Sequence, residues 1–141
     1  MIQKLGMLLA GIFAVLSALH IYWALGGRWG SNVTVPTVGG QRAFNPGPLA
    51  TVLVAAALLI AMLTILGQLG IWKVVVPRWI FFWGTCGISL VFFLRAVGDF
   101  RSVGFFKQAS GSGFAYWDTW LYSPLCLLIS LLAIAVAFKK G

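Results

Sequence analysis

Four apolar runs, residues 5–27, 48–69, 79–98 and 123–139, take up most of this 141-residue chain. Most approach the roughly 20 residues that a helix needs to cross a bilayer. Inside hydrocarbon every backbone N–H and C=O must be paired within the protein, and a helix does this by itself. Only 9% of residues are charged and none is Glu, against about 25% charged in soluble domains. The prediction is an all-α integral membrane protein: one domain over residues 1–141, a four-transmembrane-helix bundle.

The first run follows Lys4 and has a signal-like apolar core, yet no clear A-x-A site follows and apolar character continues past His20 to Gly27. It is expected to remain as a helix. The net charge of +8 does not signal nucleic acid, because the Lys and Arg residues lie at the ends of apolar runs rather than in a stripe. That distribution suits anchoring to anionic headgroups of the lipid bilayer. Cys86 and Cys126 stand in separate runs with no CxxC pairing and read as small buried apolar residues.

The connections are unequal. "GIWKVVVPRW" is short and basic, whereas residues 28–47 and 99–123 are long and emerge on one side, opposite both termini. Loops of that length often carry function. In "NVTVPTVGGQRAF" β-branched and polar residues alternate up to Gly39-Gly40, a suitable hairpin turn; an irregular loop is the alternative, since Pro36 cannot donate to a ladder. "GPLATVLVAAALLIA" and "SPLCLLISLLAIAVA" form a weak repeat, each with Pro where a first helical residue lacks an N–H partner anyway. This makes Ser123 the expected N-cap of the last helix and leaves Asp118 in a turn outside it. Gly6, Ala10, Ala14 and Ala18 line one face of the first helix, where small residues let backbones approach; Gly84 and Gly87 are the equivalents in the third.

"RAVGDFR", residues 95–101, places one of only two acidic residues between two arginines. Arg95 and Asp99 share a helical face at i, i+4, and a carboxylate is disfavoured at a helix C-terminus. Asp99 is therefore expected to pair with Arg95 or Arg101. His20 lies about 9 Å inside the first helix, and ionisable groups at membrane depth are functional candidates. Asp118, the second acid, sits in "FAYWDTWLYSPL" four residues before Tyr122. The His, both Asp, every Tyr and most Trp thus gather towards one membrane face, with the long loops as a lid. The candidate ligand-binding residues are His20, Trp23, Arg95, Asp99, Arg101, Asp118 and Tyr122.

"SALHIYWALGGRWG", "RAVGDFR" and "DTWLYSPLCLLISL" resemble a family of small bacterial four-helix membrane proteins catalogued only as a domain of unknown function. The matched positions are His20, Trp23, Gly26, Gly27, Gly98, Asp99, Arg101, Asp118, Thr119 and Pro124. The resemblance implies four helices in a bacterial cytoplasmic membrane and brings no activity with it.

No metal or other cofactor is expected, because one His and two separated Asp do not make a zinc or di-iron site. Ser17 and His20 at i, i+3 imitate a nucleophilic pair, but a helical Ser back-bonded to its own turn is the simpler reading. Three functions remain. One is binding of a lipid or small apolar molecule in an aromatic and polar pocket at one membrane face. Another is a non-catalytic interaction protein, an assembly subunit or an immunity-type protein with a protein partner. The last is an intramembrane enzyme on an apolar substrate, with His20 and an Asp exchanging a proton. Lys4, Lys73, Arg78, Lys139 and Lys140 against Arg28, Arg42, Arg101 and Lys107 give a slight preference for cytoplasmic termini, which Arg95 would cancel.

Overall fold

The computed structural model describes residues 1–72 and 75–139. Lys73 and Lys140, two of the basic anchors read from sequence, lie outside the described residues. Helix α1 spans Ile2–Ala24, α2 Pro48–Leu69 and α3 Arg78–Val97. A fourth helical stretch begins as α4, Gly113–Trp117, passes through a single π turn, Asp118–Tyr122, and continues as α5, Ser123–Ala137. Among the described residues four helical paths are therefore long and apolar enough to span a membrane, and the chain is a multi-pass four-helix membrane protein.

The helices pack chiefly as two pairs, α1 on α2 and α3 on α5. Leu9, Phe13, Ile65, Ile129 and Val136 form the innermost layer, while most other large apolar side chains face outward, as lipid requires. Gly6 admits the Leu69 side chain, and Gly84 that of Thr64. The small-residue face drifts, however: Ala18 is exposed and Ser17 is buried in its stead. Gly87 faces open space rather than a neighbouring helix.

Two hydroxyl ties join helices where no water competes. Ser17 Oγ donates to the Ala55 carbonyl of α2 (2.9 Å), not back to its own helix. Ser89 and Ser130 donate reciprocally to each other's carbonyls at 2.9 and 2.8 Å. Cys86 and Cys126 are unpaired and only partly buried.

The first long loop contains the hairpin. Strands β1, Thr37–Val38, and β2, Gln41–Arg42, pair antiparallel with Val38 opposite Gln41. Gly39 and Gly40 turn with φ of +61° and +80°, the left-handed pair that a type I′ turn requires. Pro36 contributes only its carbonyl, which accepts from Ala43 N–H (2.7 Å).

The start of the last helix corrects the expectation. Helical geometry begins ten residues earlier than Ser123, at Gly113, where the Ser112 hydroxyl accepts from Ala115 N–H (3.0 Å) as the N-cap. Pro124 is tolerated inside the helical path because the preceding turn is widened. Ser123 N–H bonds to the Asp118 carbonyl five residues back, so the turn absorbs the ring that would clash in regular α geometry. Asp118 thus stands within the helical path.

A saturated carboxylate and an open pocket

Asp118 is fully buried. Its Oδ1 accepts from Arg95 Nη2 (2.8 Å) and from Ser123 Oγ (3.2 Å). Its Oδ2 accepts from Gly104 N–H (2.7 Å) and lies 3.1 Å from Lys107 Nζ. An ionised carboxylate offers about four acceptor sites, and all four are occupied. Lys107 spends its remaining protons on the Gly104 carbonyl (3.2 Å) and on Thr119 Oγ1. This carboxylate therefore joins α3, the third loop and the last helix at one point, and leaves no lone pair for a ligand. Of the two guanidinium ends, Arg95 Nη1 is buried without a partner among the described residues.

Asp99 does something else. The expected pairing with Arg95 or Arg101 is absent: among the described residues the ion pairs are Arg95–Asp118 and Lys107–Asp118. The helix stops at Val97, and Gly98 turns the chain with φ +87°, so the i, i+4 relation does not hold. Asp99 Oδ1 instead accepts from the backbone N–H groups of Arg101 (2.9 Å), Ser102 (2.8 Å) and Val103 (3.0 Å), and Oδ2 accepts from Ser102 Oγ (2.9 Å). The Arg101 amide first, then the Ser102 amide and the others, holds this carboxyl far below its ordinary value of 3.8. A lowered carboxyl stabilises the fold above its ordinary value. That contribution falls away only as acid carries the pH below 3.8 towards the lowered value.

The loop that Asp99 gathers has a purpose visible in its closure. Asp99 N–H bonds to the Val103 carbonyl (3.2 Å), and Phe105 N–H to the Ala96 carbonyl (2.8 Å). Gly98 and Gly104, both left-handed, cross with no room for a Cβ: one on Gly98 would strike the Val103 carbonyl, one on Gly104 the Val97 carbonyl. This crossing delivers Gly104 N–H, and with it Lys107, to Asp118. Asp99 shapes the loop, and Asp118 receives it.

His20 stands apart from that centre. Its Nδ1 lies 2.7 Å from the Leu16 carbonyl; a carbonyl only accepts, so Nδ1 carries the proton and Nε2 of a neutral ring is left as an acceptor. The Trp23 ring packs edge-on against it at 5.2 Å, and Trp23 Nε1 donates to the Trp29 carbonyl (2.8 Å). Gly27 fits against the Tyr22 ring, where a Cβ would collide, so "HIYWALGGRWG" folds back on its own helix end. His20 and Trp23 line an open-mouthed pocket of about 490 Å³, closed by Val35, Arg42 and Phe44 of the first loop and Val54 of α2. Arg42 Nη2 donates to Asn32 Oδ1 (3.1 Å), which steadies the hairpin at the mouth.

The seven residues singled out from sequence are thus dispersed. His20 and Trp23 share the pocket, and Arg95 and Asp118 share the saturated centre. Asp99 serves its own loop, and Arg101 contributes a backbone N–H to it while its residue stays exposed. Tyr122 links the two regions, its hydroxyl donating to the Val33 carbonyl of the pocket's loop (3.1 Å). Lys107 was not among the seven. No spacing in the sequence signals it, because loop closure alone brings Lys107 to Asp118.

Comparison with known families adds one match. The model of a family described as "Protein of unknown function (DUF3995)" aligns with residues 13–133. The chain belongs to that family. No curated protein and no solved structure matches it. The matched span includes both the His20 pocket and the whole Asp118 centre with its loop.

Proposed function

We propose that the protein binds a small apolar or amphipathic molecule, a lipid among the candidates, in the pocket at His20. The observation that carries this reading is the combination at one open-mouthed pocket of an apolar wall, Trp23 with Val35, Phe44 and Val54, and a histidine whose Nδ1 is already engaged. Pockets of a few hundred Å³ with few fixed polar groups are the usual form of small-molecule sites. His20 Nε2 would accept from a hydroxyl or amide of the ligand, and Trp23 would cover its ring or chain. The reading as an intramembrane acid–base enzyme is weaker, because the one buried carboxylate has every lone pair occupied and does not line the pocket.

Native mass spectrometry of the protein extracted with its own lipids tests this. A retained species is expected on the unaltered chain, and His20→Ala or Trp23→Ala should reduce its occupancy about tenfold, the equivalent of 1.4 kcal/mol, with folded yield unchanged. Equal retention in the unaltered chain and both variants would remove the pocket from the account.

We take the membrane to be the bacterial cytoplasmic one, with both termini inside, and the chain to be one domain. A small basic excess on the short-loop side, cancelled if Arg95 is counted, supports the termini inside; the family resemblance supports the bacterial membrane, and one apolar core shared by the four helices supports a single domain. With Cys86 and Cys126 replaced by Ser, a cysteine at exposed Ser110 should react with an impermeant maleimide in intact cells; protection there until lysis would invert the topology.

A further inference from the structure

At the opposite end of the bundle from His20, a second cavity of about 370 Å³ is lined by Gln68, Arg78, Trp79, Phe82 and Lys139. Two cations converge there on the last residues of α2. Lys139 Nζ lies 3.4 Å from the Leu69 carbonyl, and Arg78 Nη2 lies 3.9 Å from where a Cβ on Gly70 would stand. Gln68 Nε2 is spent on the Ala137 carbonyl (3.0 Å), which ties the floor of the cavity to α5.

Among the described residues no carboxylate compensates the charge at this place. The chain has two acidic residues, Asp99 and Asp118, and both are consumed at the other face. Helix ends carry only about half a charge each: the C-termini of α2 and α5 and the N-terminus of α3 sum to about −0.5 against two full cations. Among the described residues a net positive charge above one therefore remains in a recess walled by Trp79 and Phe82, the aromatic type that sits at headgroup level.

We infer that this cavity is a binding site for the phosphodiester headgroup of an anionic phospholipid. Arg78 and Lys139 hold the phosphate oxygens, Arg through a planar fork and Lys as a point charge. Trp79 and Phe82 cover the glycerol and the first methylenes. A basic recess between transmembrane helices is the usual form of such a site, and a zwitterionic lipid lacks the net charge to exploit it.

The test is native mass spectrometry of the full chain in detergent with added phosphatidylglycerol or phosphatidylcholine. Retention of phosphatidylglycerol should exceed that of phosphatidylcholine by about tenfold or more, two cations each favouring an anionic lipid. Arg78→Gln with Lys139→Gln should abolish the preference, while Arg101→Gln on the far face keeps it, each variant being checked as folded by circular dichroism. Millimolar inorganic phosphate should not displace the lipid. Equal retention of the two lipids, a preference that survives the double substitution, or one lost equally in Arg101→Gln would overturn the assignment to this cavity. Displacement by inorganic phosphate would show a phosphate site rather than a lipid site, and would overturn it too.

Discussion

Asp118→Ala is expected to be the most damaging single substitution in the chain. It removes the acceptor for Arg95, Lys107, Gly104 N–H and Ser123 at once. Lys107 would be left almost wholly buried, its side chain 6% exposed, whereas Arg95, 31% exposed, can turn partly towards headgroups. Removing one partner of a buried pair typically costs about 3–5 kcal/mol, and the partial exposure of Arg95 points to the lower end. Thermal unfolding in detergent should show a large fall in midpoint, and folded yield should drop with it. Lys107→Met, which removes a surplus cation and keeps the apolar stem, should cost much less. A midpoint for Asp118→Ala within a degree or two of the parent would mean that the centre contributes little.

The second large effect belongs to the glycine crossing. Gly98→Ala and Gly104→Ala each place a methyl group on opposing backbone, at φ of +87° and +90°. Backbone held in such regions costs about 1–3 kcal/mol even without a clash, so each should lose at least about 2 kcal/mol and release the loop. Trypsin should then cut at Arg101 and Lys107 faster than in the parent. Gly87→Ala is the internal control: it lies in a helix with open space beside it, and alanine there should be neutral or stabilise by up to about 1 kcal/mol. If Gly98→Ala behaved like Gly87→Ala, the loop would not be held as described.

Much of the scaffold was legible because local chemistry marks it. Pro48 after Gly47 and Gly70 after Leu69 bound α2 where they were expected, and Gly39-Gly40 marks a turn that only left-handed residues make easily. The partner of Arg95 was not legible, for a specific reason. Placing Asp99 on its face assumed that the helix continues, whereas Gly98 ends it and swings the carboxylate into its own loop. Asp118 was read as a turn residue because Pro124 looked like a helix start. A single π turn lets the helix run through that proline, and the turn leaves no periodic trace in the sequence. Lys107 reaches Asp118 only by loop closure, a contact that spacing cannot encode. Gly39-Gly40 marks a turn locally but leaves hairpin and irregular loop open, and His20 and Trp23 share a helix face; their meeting with the hairpin across a pocket depends on how the first loop folds back.

The third loop is not a free lid: its first turn is fastened by Asp99, and Gly104 and Lys107 are fastened by Asp118. The first loop walls the pocket and rests on Tyr122 and Gly113 through Val33. Asp118 thereby supports the pocket from behind without lining it.

Arg95 answers to Asp118 and not to the nearer-in-sequence Asp99, and a pair of double-mutant cycles read by thermal unfolding separates the two partners. Asp118→Asn and Arg95→Gln should each destabilise, and together they should cost less than their sum, with an interaction of about 1–3 kcal/mol. Asp99→Asn and Arg95→Gln should instead add, within about 0.5 kcal/mol. Additivity in the first cycle with coupling in the second would make Asp99, not Asp118, the partner of Arg95.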